Sequence, residues 1–154
     1  MLRLSKKADY ALIAMKHLAL RGDRRSAESA SAREIAELYD IPIELMAKVL
    51  QRLVRRGLLA SHQGTRGGYQ LARTPAQISV ADVIQAIDGP VTVTACSTED
   101  ESCDQFAKCN VRDPLWKVRE RILAALGDCT IAELATDTPP MPAPARAAVL
   151  HTHL

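Results

Sequence analysis

Three of the four cysteines in the chain lie in one short polar stretch, at Cys96, Cys103 and Cys109. Thiolates are soft ligands, so three of them on one loop can converge on a metal centre. Structural zinc usually binds tighter pairs of cysteines, whereas six and five residues separate these three and leave room for a bulkier group. The spacing therefore favours an iron–sulfur cluster, with two or four irons, and leaves zinc as the alternative.

A disulfide with one spare thiol is another use for these cysteines. Disulfides persist in oxidising compartments, but Asp9 and Lys16 interrupt any apolar stretch that could serve as an export signal. No segment approaches the length needed to cross a membrane. The sequence therefore predicts a cytoplasmic protein with no membrane partner, in which surface cysteines bind a metal or sense redox state.

The overall charge of +2 conceals a segregation of charge along the chain. Residues 1–74 contain fourteen Lys and Arg against seven Asp and Glu, while residues 75–154 contain six against eleven. A basic first half suggests a head that binds a polyanion. We predict that residues 75–136 form a sensing and assembly module, and that the proline-rich residues 137–154 form a disordered tail.

The first half has the signals of three helices. Ser5 can cap the first, and Ser31 with Glu34 has the capping-box spacing that begins the second. Pro42 fits the first turn of the third, which runs to Arg56. Two short helices joined by a tight turn are typical of a helix-turn-helix, in which the second helix enters the major groove of DNA.

The third helix is strongly two-sided. Met46, Val49, Leu50 and Leu53 recur at helical spacing and should face the core. The outward face then carries side chains that can reach bases or phosphates: Lys48, Gln51, Arg52 and Arg55. An ordinary solvated face would have a similar composition, so the DNA-binding interpretation depends on the segment that comes after this helix.

A glycine-rich hairpin occupies that segment. Residues 57–61 and 69–72 are candidate strands, and the segment between them contains three glycines and Arg66 near its tip. Helix, turn, basic helix and hairpin together predict a winged helix-turn-helix over residues 1–74. The predicted fold class is therefore mainly α with a small β-hairpin, and the predicted partner is double-stranded DNA.

A long helix is predicted after the cysteines, from Pro114 to Leu126. It carries one apolar stripe widened on a second side, formed by Leu115, Trp116, Val118, Ile122, Leu123 and Leu126. A helix that is apolar on more than one side needs two partners. One can be the head and the other the same helix in a second subunit, which makes this a candidate dimerisation helix of a homodimer. A monomeric helical core is the alternative.

Five ordered motifs together resemble the Rrf2 family of dimeric bacterial winged-helix repressors, which includes IscR- and NsrR-like proteins. The motifs are residues 4–11 (LSKKADYA), 41–42 (IP), 58–61 (LLAS), 67–71 (GGYQL) and the three-cysteine loop. The resemblance covers residues 1 to 136 and implies that Cys96, Cys103 and Cys109 are cluster ligands. The opening motif and residues 61–73 are most similar to regulators of the SUF iron–sulfur assembly operon.

The resemblance leaves a fourth ligand to be found. The IscR-like branch has a histidine three residues after the last cysteine, but this chain has Arg112 there, and a guanidinium cannot ligate. Asp9 matches the position from which the NsrR-like branch supplies a carboxylate of the partner subunit, and we prefer it to Asp113. Cys129 follows the long helix and is expected to be a small buried residue.

These observations predict a homodimeric DNA-binding repressor that senses iron–sulfur cluster or redox status and controls iron–sulfur assembly genes. The main alternative is a zinc-stabilised winged helix that binds DNA constitutively. A redox protein carrying a cluster is a third interpretation. Catalysis is not expected, because the sequence lacks a serine–histidine–acid arrangement and a convincing carboxylate pair.

Overall fold

The computed structural model describes residues 3–22, 29–93 and 103–136 of the chain. Within these ranges the helices are α1 Lys6–Gly22, α2 Ala32–Leu38, α3 Ile43–Arg55, α4 Val80–Asp88, α5 Arg112–Asp128 and α6 Ile131–Ala135. Strands β1 Leu59–His62 and β2 Gly68–Leu71 lie between α3 and α4. Short 3-10 helices occupy Pro75–Gln77 and Phe106–Lys108. The predicted fold class, mainly α with a small β-hairpin, is confirmed.

Side chains near the start of α1 and α4 cap these helices as their sequences indicate. The Ser5 hydroxyl oxygen accepts a hydrogen bond from the Ala8 N–H, at 3.1 Å. Ser79 and Asp82 form a reciprocal capping box, in which each side chain accepts from the other residue's N–H, at 3.0 and 2.9 Å. Such caps satisfy backbone donors that a helix leaves without partners.

The cap of α2 is simpler than the predicted box. Ser31 accepts from the Glu34 N–H at 3.1 Å, while the Glu34 carboxylate pairs with Arg21 in α1. Glu34 therefore connects two helices. Its carboxylate forms a tertiary ion pair instead of the capping hydrogen bond that the local motif predicts.

The three helices of the head share one apolar core with α4 and α6. Its largest fully buried side chains include Met15, Ile35, Met46, Leu50, Leu53, Ile78, Val83 and Ile131. Burying one aliphatic side chain of this size contributes about 1.5–3 kcal/mol. The core therefore fixes α3 against α1 and leaves the opposite face of α3 to the solvent.

The hairpin pairs antiparallel, from Leu59 opposite Leu71 to His62 opposite Gly68. Both strands lie within two residues of the predicted ones. Ala30, just before α2, adds an isolated bridge to Tyr69 on the outer side of β2. The wing is therefore attached to the head along one edge.

The second half of the chain follows the predicted order. α5 extends two residues beyond each end of the predicted helix, and Thr130 with Glu133 forms the capping box that starts α6. Ser79 and Thr130 form a bridge that joins the start of α4 to the start of α6. Cys96 and the predicted tail at residues 137–154 lie outside the described residues.

Candidate DNA-binding face and cysteine turn

Helix α3 has the two faces that its sequence predicts. Met46, Val49, Leu50 and Leu53 are buried, and the outward face is formed by Lys48, Gln51, Arg52 and Arg55, all of them exposed. Lys48, Gln51 and Arg55 are therefore available to a DNA groove or to its phosphates.

Arg52 has a partner within the protein. Its Nε donates to the backbone carbonyl of Ala86 in α4, at 2.9 Å. The residue as a whole is exposed, and its hydrogen bond joins α3 to the last turn of α4. The helical periodicity of α3 carries no signal for this contact, because it depends on where α4 packs.

The tip of the wing is hydrogen bonded to the segment before α2. The Ser29 hydroxyl donates to the carbonyl of Arg66, at 2.8 Å. Ala30 and Tyr69 exchange two backbone hydrogen bonds, at 3.0 and 2.8 Å. Arg66 itself is exposed. These contacts hold the wing tip, and the arginine on it, in a defined position relative to the helix-turn-helix.

Gly68 permits this close attachment. A Cβ added at Gly68 would lie 2.6 Å from the carbonyl oxygen of Ala30. Only a residue without a side chain therefore fits between the wing and the segment before α2. The sequence pattern assigns the glycines to the turn of the hairpin, and it gives no signal for Ser29 or for this second use of a glycine.

An open cleft separates α3 from the wing. Its volume is about 450 Å³, and its walls carry polar and basic groups from both elements, namely Gln51, Arg55, Ser61, His62, Gln63 and Tyr69. The guanidinium of Arg55 on one wall, together with hydrogen-bonding side chains on both, suits a phosphate backbone.

Cys103 and Cys109 flank one short turn. Between them lies the 3-10 helix Phe106–Lys108, and the Phe106 N–H donates to the Cys103 carbonyl at 2.9 Å. Both cysteines are free thiols, Cys103 exposed and Cys109 half-buried. The turn therefore brings two of the three predicted ligands into one compact segment. Cys96, the third, lies outside the described residues.

Arg112 holds this turn from the first residue of α5. Its guanidinium lies over the Phe106 ring, with the central carbon 4.4 Å from the ring centroid, and Nη1 donates to the Phe106 carbonyl at 3.2 Å. Its Nε pairs with Asp113 at 3.2 Å. Arg112 therefore braces the turn and engages the carboxylate of Asp113, the less favoured candidate for the fourth ligand.

Asp9 lies in the first turn of α1 and is half-buried. Within the described ranges, no group of three or more His, Cys, Asp or Glu side chains is placed to hold a metal ion. A ligand role for Asp9 would join it to the cysteines of a second subunit, so it stays a prediction.

Cys129 is set apart from the turn by the length of α5. It is half-buried, where the sequence predicted a buried residue, and its backbone carbonyl accepts from the Val80 N–H at 2.8 Å. Burial raises the pKa of the Cys129 thiol, and the neighbouring Glu133 raises it further. A raised pKa keeps the thiol protonated and unreactive, which agrees with a packing role.

Helix α5 is only partly covered by the described parts of its own chain. Leu123 and Leu126, in its second half, pack against a small buried cluster in and after α4. In its first half, Trp116 is 47% exposed and Val118 is 43% exposed. The two residues lie two positions apart and therefore on different sides of the helix, and apolar side chains left exposed in this way are typical of an interface between protein chains.

Known proteins share this architecture. The family model Rrf2, described as an iron-dependent transcriptional regulator, matches residues 4–137. The chain is 34% identical over 134 residues to the HTH-type transcriptional regulator IscR of Xenorhabdus nematophila, covering 86% of this chain and 79% of that protein.

Two solved structures are similar over most of their length. CymR, described as the global cysteine regulator of B. subtilis, has a TM-score of 0.71 and 28% identity, over 90% of this chain and 99% of CymR. IscR of T. potens has a TM-score of 0.67 and 28% identity, over 88% of each chain. In the described part of the chain, no helix has both the length and the apolar character that a bilayer crossing requires.

Proposed function

The chain belongs to the Rrf2 family of transcriptional regulators, and we propose that it is a homodimeric repressor whose DNA binding depends on an iron–sulfur cluster in its cysteine loop. The relatives it matches are transcriptional regulators, so the chain is a regulator and not an enzyme. The observation that carries the finer proposal is the pair of free thiols, Cys103 and Cys109, on a braced turn.

The residues present fit an iron–sulfur group. Soft thiolates are the ligands that such clusters take from proteins, and Cys103 and Cys109 face no disulfide partner among the described residues. We propose that Cys96 completes the set and that Asp9 of a second subunit supplies the fourth ligand. A bound cluster supplies a centre whose charge and integrity change with iron supply and oxidants. A tetrahedral zinc site on the same thiolates is the alternative.

The proposed DNA interface joins α3 and the wing. Lys48, Gln51 and Arg55 are exposed on one face of α3, and Arg66 is exposed at the wing tip that Ser29 holds. In a winged helix-turn-helix the second helix enters the major groove, and cations beside it neutralise phosphates. We therefore assign residues 1–74 to DNA binding, with α3 in the groove and Arg66 on the backbone.

We assign residues 75–136 to the cluster and to dimerisation. The first half of α5, where Trp116 and Val118 are exposed on two sides of the helix, is the segment on which a second α5 would pack. A dimer would also carry two recognition helices, as helix-turn-helix proteins on symmetric operators require.

This dimer can be tested with a charge at Val118, on the apolar stripe of α5. Val118→Asp should yield monomers in sedimentation at micromolar concentration, because the interface would bury the new carboxylate. Leu38→Asp places the same charge on an exposed leucine of α2 and should leave the dimer intact. Equal sedimentation of both variants and the wild type would place the interface elsewhere.

We propose that the regulated genes include those for iron–sulfur assembly. The support is the likeness of the opening motif and of residues 61–73 to SUF-operon regulators, together with the family description as iron-dependent. A chromosomal DNA partner would place the protein in the cytoplasm.

The likeness to CymR favours a second candidate. In it, the same DNA-binding head responds to the thiol state of the cysteine loop without a metal. This candidate predicts DNA binding that changes with thiol oxidants in metal-free protein.

The experiment that separates these accounts measures operator affinity. Anisotropy of a labelled promoter fragment from an iron–sulfur assembly operon should give different Kd values for protein purified without oxygen and for the same protein stripped of metal under reducing conditions. Identical Kd values for the two preparations, with stoichiometric zinc in the protein as purified, would support the zinc-stabilised protein that binds DNA constitutively. A change that follows oxidants alone, in metal-free protein, would support the thiol sensor.

A further inference from the structure

We infer that Arg52 is a positioning residue, which connects the recognition helix α3 to the helix that leads into the cysteine loop, rather than a DNA contact. The inference deepens the proposed function and rests on it. The contact that carries it is the 2.9 Å hydrogen bond from Arg52 Nε to the Ala86 carbonyl.

The Ala86 carbonyl is a natural partner for a guanidinium. It belongs to the last turn of α4, where carbonyl groups have no partner within the helix and the helix dipole places partial negative charge. A cation from α3 therefore completes the end of α4. The hydrogen bond also fixes the orientation of the Arg52 side chain relative to α4, since the planar guanidinium donates along defined axes.

The same turn of α4 also holds α1. The Asp88 carboxylate accepts from the Ser5 backbone N–H at 3.1 Å and from the Ser5 hydroxyl. A carboxylate is disfavoured at the end of its own helix, but here it faces the amino-terminal end of α1, where negative charge is favoured. The last turn of α4 thus meets the recognition helix through Ala86 and the first turn of α1 through Asp88.

In the sequence, the cysteine loop follows this turn closely. Gly89 ends α4 with φ of 84°, in the left-handed region, and Val91 is buried and packs with the α4 residues Val80 and Ile84. Cys96, the first of the proposed ligands, follows Val91 after only four intervening residues. A change in the ligation of Cys96 would therefore act on α4 through a short connection that is anchored at Val91.

These contacts connect the recognition helix α3 to the cysteine loop by way of the last turn of α4. A displacement of the last turn of α4 moves the Ala86 carbonyl, and Arg52 transfers that displacement to α3. The proposed ligand Asp9 lies in the first turn of α1, which Asp88 holds from the same turn of α4. Since Asp9 of each subunit would serve the cluster on the other, the last turn of α4 is connected to both proposed clusters. It is connected to its own cluster through the loop and to the partner's cluster through α1.

The competing role for Arg52 is a phosphate contact, as its exposed position on α3 suggests. The two roles predict different measurements. A lost phosphate contact weakens binding by loaded and cluster-free protein alike and lowers the salt slope of binding by about one. A lost coupling contact changes the ratio of the two affinities, which in coupled systems is typically about 5- to 150-fold, and leaves the salt slope of the cluster-free form unchanged.

The experiment measures operator Kd at four salt concentrations for loaded and cluster-free dimers of the wild type, Arg52→Ala, Arg52→Lys and Arg55→Ala. Arg52→Ala should bring the loaded to cluster-free ratio to within about twofold of one. Arg52→Lys keeps the charge but not the Nε–H donor, so it should lower the ratio with the wild-type salt slope. Arg55→Ala should keep the ratio and lower the slope.

Three results would overturn the inference. In the first, Arg52→Ala has the same ratio of loaded to cluster-free affinity as the wild type. In the second, the loaded and cluster-free forms of Arg52→Ala both bind more weakly, with a smaller salt slope. In the third, hydrogen exchange at residues 86–89 of the cluster-free protein is the same in the wild type and in Arg52→Lys. This last readout needs no cluster and remains usable if Arg52→Ala folds poorly. A wild-type ratio of one, with DNA binding intact, would instead contradict the proposed function itself.

Discussion

The guanidinium of Arg112 lies against the turn that carries the candidate ligands, 4.4 Å from the Phe106 ring centroid and 3.2 Å from the Phe106 carbonyl oxygen. The IscR-like branch has a histidine at this position. In this chain the position cannot supply a ligand, because an arginine presents donors only. It instead braces the segment between Cys103 and Cys109.

Removing this brace should make the cluster more labile. Arg112→Ala loses the hydrogen bond and the cation–π contact, so the turn gains conformations that separate the thiolates. We expect the visible absorbance of the loaded variant to decay several-fold faster in a chelator than that of the wild type. Arg33→Ala is the matched control, since it removes an exposed arginine of α2 that pairs with Glu37 at 3.9 Å. Equal decay in both variants would show that the brace is irrelevant to retention.

The proposed fourth ligand can be tested by an isosteric exchange. Asp9→Asn removes the negative oxygen donor and keeps the shape of the side chain, so we expect a changed visible spectrum and faster loss of iron. Asp113→Asn, at the alternative position, should behave as the wild type, since the Asp113 carboxylate is engaged by Arg112. The opposite result, with Asp113→Asn alone altering the spectrum, would reassign the ligand.

Arg66 should contribute to affinity without contributing to sequence preference. We expect Arg66→Ala to weaken binding to specific and unrelated duplexes by a similar factor and to lower the salt slope by about one, as loss of one phosphate contact does. Anisotropy titrations at several salt concentrations measure both effects. Arg121→Ala, an exposed arginine of α5, removes the same charge far from the wing along the chain. Unchanged binding by Arg66→Ala at every salt concentration would reject the contact.

Gly68 should be far less tolerant of substitution than Gly22. A Cβ at Gly68 would meet the Ala30 carbonyl at 2.6 Å, whereas a Cβ at Gly22 has nothing within 4 Å. We expect Gly68→Ala to lower the free energy of unfolding by about 1–3 kcal/mol, as overpacking does, and Gly22→Ala to change it by no more than about 0.5 kcal/mol. Urea denaturation measures both. Similar stability of the two variants would mean that the wing can leave the Ala30 segment at little cost.

The elements that could be predicted from the sequence are those set by local pattern. The apolar period of α3 fixes its buried face, and Ser79 with Asp82 fixes the start of α4, because each depends on residues a few positions apart. The hairpin is likewise marked by its own glycines. The exposed side chains of α3 are predictable for the same reason, as those that the apolar period leaves outside.

The contacts that could not be predicted join residues distant in sequence. The hydrogen bond from Ser29 to the wing and the one from Arg52 to Ala86 depend on how helices and strands pack against each other, so no local spacing predicts either one. Glu34 illustrates how a tertiary contact can replace a local one. The local motif predicts that it caps α2, but in the fold its carboxylate pairs with Arg21. The role of Arg112 is hidden although Phe106 is only six residues away, because the sequence shows that Arg112 cannot ligate but not what it contacts.

The most direct test of the proposed function is the metal content and visible absorption of protein purified without oxygen, for the wild type, Cys103→Ala and Cys129→Ala. We predict a coloured wild type with at least about two irons per subunit, loss of colour and iron in Cys103→Ala, and retention of both in Cys129→Ala, whose thiol is kept protonated by its surroundings. A colourless wild type that contains zinc, or no metal at all, under the same conditions would contradict the iron–sulfur account.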